Sequence, residues 1–115
     1  MNKKIYNRIL VELGEVLQSQ SMQKKLGFEY KVPAELTIEN GFFGEYYVFR
    51  LRRTIANSRR GDDGYIRPYY LQEDLQHNLD MRRLTGISFT GRKQLTITVT
   101  EDSSRFYKIF VKVGG

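Results

Sequence analysis

Residues 94–113 alternate so regularly that they leave little choice of local structure. Leu95, Ile97 and Val99 interleave with Thr96, Thr98 and Thr100; Glu101-Asp102-Ser103-Ser104 turns the chain; Tyr107, Ile109, Val111 and Val113 then return on one side. Successive side chains of a strand point to opposite faces, so this is an antiparallel hairpin with one buried face. The return strand carries Phe106, Lys108, Phe110 and Lys112 on its other side. If that side is open it extends a binding surface. If it packs under a helix, the phenylalanines are core and the lysines reach out along its edge. The packed arrangement is the expectation.

A sheet with one apolar face needs a cover, and the rest of the chain supplies it. Over 3–19, Ile5, Ile9, Leu13, Val16 and Leu17 recur at spacings of three and four, with Tyr6 and Leu10 widening the stripe. That is an amphipathic helix, interrupted near Ser19–Ser21. Ser21 is expected to cap a short turn through Met22 and Leu26, ended by Gly27. Residues 29–32 are expected to be extended before Pro33. Residues 34–39 and 45–55 read as two strands joined by Asn40-Gly41-Phe42-Phe43-Gly44. In the second, Tyr47, Phe49 and Leu51 alternate with Tyr46, Val48, Arg50 and Arg52. Residues 56–64 form a polar loop, 65–70 an edge strand limited by Pro68, and 71–84 a second helix stopped by Gly86.

The order is therefore α-β-β-loop-α-β-β. The expected fold class is α+β: a mixed, mostly antiparallel sheet with two helices packed on one face. At 115 residues, a single domain spanning 1–115 is expected. Hydrophobic residues at 40% and charged residues at 28% place the chain among globular proteins. The absence of cysteine removes disulfides, thiol nucleophiles and cysteine-ligated metals from consideration. No signal peptide is visible and no apolar run approaches membrane-spanning length, so a cytoplasmic protein with no membrane partner is expected.

Nineteen basic residues against thirteen acidic give a net charge of +6, which favours encounters with anions. The basic residues concentrate in 45–70, where six arginines are interleaved with Tyr46, Tyr47, Phe49, Tyr65, Tyr69 and Tyr70. Guanidinium groups grip phosphate through a rigid fork of donors, and aromatic faces stack on bases. The sequence thus points to a small basic non-enzymatic domain that binds DNA or RNA. Phosphate contacts are expected from Arg50, Arg52, Arg53, Arg59, Arg60 and Arg67, and stacking from Tyr65, Tyr69 and Tyr70. Arginine and tyrosine also dominate protein–protein hot spots. The alternative is an assembly or adaptor subunit of a virion, conjugation machine or other complex, docking an acidic protein surface. Strandedness and oligomeric state stay open at this level.

Other chemistry-bearing residues are thinly supported. His77, with Glu73, Asp74 and Asp80 at helical spacing, lacks a second liganding segment. Asp62-Asp63 has no partner constellation nearby, and Asp-Gly is turn chemistry. Arg60-Gly61-Asp62 is taken as chance and Gly114-Gly115 as a frayed end. No catalytic residue, metal ligand set or cofactor is expected.

Overall fold

A computed structural model describes residues 3–26, 36–43, 46–53, 61 and 63–114, with the backbone alone for 25–26 and 36–43. In chain order the elements are α1 (Lys3–Gln18), α2 (Gln20–Leu26), β1 (Leu36–Phe43), β2 (Tyr46–Arg52), α3 (Pro68–Leu84), β3 (Leu95–Glu101) and β4 (Phe106–Val113). The fold is α+β in the order read from the sequence, with α2 as a short addition to α1.

The apolar stripe of α1 buries Tyr6, Ile9, Leu13, Val16 and Leu17. Ser19, rather than Ser21, makes the break that follows. Its hydroxyl donates to the Val16 carbonyl at 2.7 Å and accepts the Met22 N–H at 3.2 Å. The second bond satisfies a donor that the first turn of α2 leaves unpaired, and Met22 is carried into the core. The stop expected at Gly27 and the extended run at 29–32 lie outside the described residues.

Helix α3 starts three residues earlier than the sequence suggests. Pro68 opens it instead of limiting an edge strand, because proline's fixed φ and missing N–H suit the first helical position. The strand expected over 65–70 is reduced to an extended Tyr65-Ile66. The helix ends as predicted at Gly86, whose φ of +75° suits a residue without Cβ. There the Ile87 N–H donates to the Arg82 carbonyl at 2.9 Å and the Gly86 N–H to that of Arg83 at 3.3 Å, the paired closure of a left-handed helix cap.

The strands form one four-stranded sheet in the order β1-β2-β4-β3, with every described pairing antiparallel. Hence β2 and β3 run in the same direction with β4 between them, and α3 crosses from one to the other. Strand β1 runs on to Phe43, through residues expected in the turn. A bulge between Ile38 and Phe42 absorbs the extra residues opposite Val48. Beside it the Tyr6 hydroxyl donates to the Val48 carbonyl at 3.0 Å, fastening α1 to the sheet.

Tyr47, Phe49 and Leu51 of β2, Leu95, Ile97 and Val99 of β3, and Tyr107, Ile109 and Val111 of β4 meet the helices in one core. Leu71, Leu75 and Leu79 of α3 join them. Burying each such side chain contributes roughly 1.5–3 kcal/mol. Arg82 of α3 ties the two long helices together, at 2.6 Å from Glu15 and 3.7 Å from the buried Glu12. The opposite sheet face follows from the strand period and is covered by no described helix. Among the described residues no helix is long and apolar enough to cross a membrane.

Candidate nucleic-acid interface

The open sheet face is set by the register of the two central strands. Reading across β2 and β4, Arg52 faces Phe106, Arg50 faces Lys108, Val48 faces Phe110 and Tyr46 faces Lys112. Thr100, Thr98 and Thr96 of β3 extend the last three rows. Phe106, Phe110 and Tyr46 are half-buried here and are absent from the core between sheet and helices. The sequence expectation that the two phenylalanines pack under a helix is therefore corrected. Helices α1 and α3 take the side of Tyr107, Ile109 and Val111, leaving the phenylalanines on the side that no described helix covers, beside Val48, which is buried there without joining that core.

Arg50 and Lys108 are directly opposed cations, an arrangement that destabilises a strand pair unless something intervenes. Asp102, in the β3–β4 turn, intervenes: its carboxylate lies 3.0 Å from Arg50 Nε and 3.6 Å from Lys108 Nζ. The Arg50 guanidinium also lies over the Phe106 ring at 4.1 Å. Tyr46 and Phe110 meet edge to face at 6.1 Å. Within β2, β4 and the β3–β4 turn the face thus combines four cations (Arg50, Arg52, Lys108, Lys112) with Asp102 and three aromatic rings.

Arg53 is one residue along from Arg52 and has the opposite fate. Strand parity turns it to the helix side, where its side chain is 6% exposed. It pairs with Asp63 at 2.8 Å and Glu101 at 3.6 Å, and lies over Tyr65 at 4.6 Å and Tyr107 at 5.5 Å. Burial works against the Arg53 charge, but hydrogen bonding to Tyr107 and Asp63 outweighs it and holds the guanidinium above its ordinary pKa. The Tyr65 backbone N–H, and then Arg53, hold the Asp63 carboxyl below its usual value. Burial pushes the Tyr107 phenol up, and its hydroxyl donates to the Ile66 carbonyl.

Around Arg53 lies an open cleft of about 290 Å³, lined by Gly61, Asp63, Tyr65, Arg67 and Glu101. Its two arginines are balanced by two carboxylates, so the cleft has little attraction for an anion. The sequence-predicted set is therefore divided. Arg50 and Arg52 share the open sheet face; Arg53, Tyr65 and Arg67 meet at the cleft. On α3, Tyr70 packs against the core, while Tyr69 is 67% exposed. Arg59, Arg60 and Asp62 lie outside the described residues. Lys108, Lys112, Phe106 and Phe110 were visible as a strip, but nothing in the sequence showed that β4 would neighbour β2.

His77 is exposed on α3, whereas Asp74 is buried and Asp80 accepts a hydrogen bond from Gln76 at 3.1 Å. Among the described residues no group of three histidine or acidic side chains is placed to hold a metal ion. No family model, curated protein or solved structure matches this chain.

Proposed function

We propose that this chain is a small, basic, non-enzymatic domain that binds nucleic acid, mainly through phosphate contacts with aromatic stacking added. The observation that supports it is the open face of β2 and β4, where four cations alternate with aromatic rings on adjacent strands. A rigid sheet holds those charges in place, so little side-chain order is lost on binding. Arg50, Arg52, Lys108 and Lys112 supply the phosphate contacts. Arg67 and Tyr69, exposed near the start of α3, and Arg59 and Arg60 remain secondary contributors. Arg53, already enclosed by its own carboxylates, holds Tyr65 and the cleft in shape.

An oligonucleotide titration followed by fluorescence anisotropy at about 50 and 200 mM salt tests this directly. Four phosphate contacts predict a log–log salt slope near −3. Binding that ignores salt, or no binding at the lower concentration, would contradict the proposal.

A second reading, an assembly or adaptor subunit, draws support from a different place. Met81, Leu84, Ile87 and Phe89, where α3 ends, are all exposed, and apolar side chains grouped this way suit a protein partner. A concentration-dependent oligomer that leaves oligonucleotides unbound would favour it.

A further inference from the structure

We infer that the open sheet face takes a single strand of nucleic acid, laid across β2 and β4 with bases stacked on Phe106 and Phe110. This rests on the nucleic-acid reading above and adds the strandedness, the path and the stacking residues.

The rows match a nucleic-acid backbone in spacing. Outward-facing rows on a strand recur every two residues, roughly 7 Å apart at the usual strand rise. The four rows Arg52/Phe106, Arg50/Lys108, Val48/Phe110 and Tyr46/Lys112 therefore repeat at that interval. Successive phosphates of an extended single strand are separated by a similar distance. Adjacent phosphates along one strand of a duplex lie a comparable distance apart, so the interval fits a nucleic-acid backbone and the rings decide its strandedness.

The rings favour a single strand. A duplex keeps its base faces stacked inside and presents phosphates outward, so it gains nothing from half-buried phenylalanines. An unstacked base gains a partner from each. Phe110 sits between Val48 and Thr98 in the ladder, with the edge-to-face contact from Tyr46 bracing it. At Phe106 a base meets the Arg50 guanidinium lying over the ring, and guanidinium planes stack bases as rings do.

Charge sets the path of the backbone. Asp102 sits between Arg50 and Lys108 on the β3 side, and cations at both ends of the face, Arg52 and Lys112, give the backbone a path along the four rows. The threonine row on β3 adds hydroxyl donors and no charge. Four rows correspond to a site of about four nucleotides, at the short end for such surfaces.

The test compares fluorescein-labelled single strands of DNA and RNA, of increasing length, with a hairpin duplex of matching sequence. Two variants are measured beside the unaltered chain, F106L/F110L and R52Q/K112Q, and a far-ultraviolet dichroism spectrum confirms that each is folded. The expected result is at least tenfold preference for single strands, with affinity levelling off a little beyond four nucleotides. F106L/F110L then weakens single-strand binding about tenfold or more and leaves the salt slope unchanged, since no charge is removed. R52Q/K112Q reduces the slope by about 1.4.

Salt-dependent binding with equal affinity for the duplex, or with F106L/F110L indistinguishable from the unaltered chain, overturns this inference and leaves the broader reading standing. Failure of every oligonucleotide to bind at about 50 mM salt overturns both.

Discussion

At the scale of single residues, the contrast between Arg52 and Arg53 shows how much depends on strand parity. The two share one chemistry, yet Arg52 is exposed on the open face and Arg53 is enclosed by Asp63, Glu101 and two tyrosine rings. The alternation of Tyr47, Phe49 and Leu51, carried one step further, already assigns Arg53 to the inner side. What the sequence could not show was the pair of carboxylates waiting there, because Glu101 arrives from a different hairpin. Asp63 stabilises the fold in its charged form, since its folded pKa lies below the ordinary 3.8. That contribution is present above 3.8 and is lost as pH falls through the depressed value. Asp63→Asn keeps an acceptor for the Tyr65 N–H and removes only the charge. It is expected to lower the thermal midpoint near neutral pH, with the gap to the unaltered chain closing in acid. A gap that persists unchanged at low pH would contradict the ion pair's role. Asp102 has the reverse character on the open face. Asp102→Asn removes the carboxylate placed between Arg50 and Lys108 and is expected to raise oligonucleotide affinity by about two- to tenfold, read by anisotropy. A fall in affinity would mean that the carboxylate is needed to hold Arg50 and Lys108 in place.

At the scale of elements, α3 does two jobs that its sequence only half revealed. Leu71, Leu75 and Leu79 were legible as a buried stripe, and Gly86 as its stop. Pro68 misled because proline suits both an edge strand and a first helical position, and only the docking of Ile66 into the core settles which. The second job belongs to two polar side chains one helical turn apart. Gln76 Oε1 accepts the Ile97 N–H at 2.8 Å and Gln72 Oε1 accepts the Val99 N–H at 2.9 Å. The Gln76 amide donates in turn to the Leu95 carbonyl at 2.8 Å. Strand β3 is an edge in the sheet order, and an edge with open donors invites another strand. The two glutamines close it. Gln72→Met with Gln76→Met is expected to cost about 1–2 kcal/mol in chemical denaturation, from backbone donors left unpaired. It is also expected to produce concentration-dependent association, seen by light scattering. A variant that remains monomeric and equally stable would show that the helix does not guard this edge.

At the scale of the whole molecule, the sheet divides the chain into two chemistries. One side is the core shared with α1 and α3; the other is a row-by-row alternation of cations and rings. The fold class was legible because the alternating segments and the α1 stripe are long and regular. The site was only partly legible. Arginine density drew attention to 45–70, whereas the surface that gathers charge and rings is assembled from β2 and β4, more than fifty residues apart in register pairs such as Arg50 and Lys108. Strand order is a property of the packed core, and no local pattern in 45–70 encodes it. The most direct test of the account is a nuclear magnetic resonance titration of the isotope-labelled chain with a short single-stranded oligonucleotide at low salt. Amide shifts are expected to concentrate on Tyr46–Arg52, Thr96–Thr100 and Phe106–Lys112, with α1 and the inner residues of α3 unmoved. Shifts confined to the cleft around Arg53, or to the apolar end of α3 between Met81 and Phe89, would contradict it.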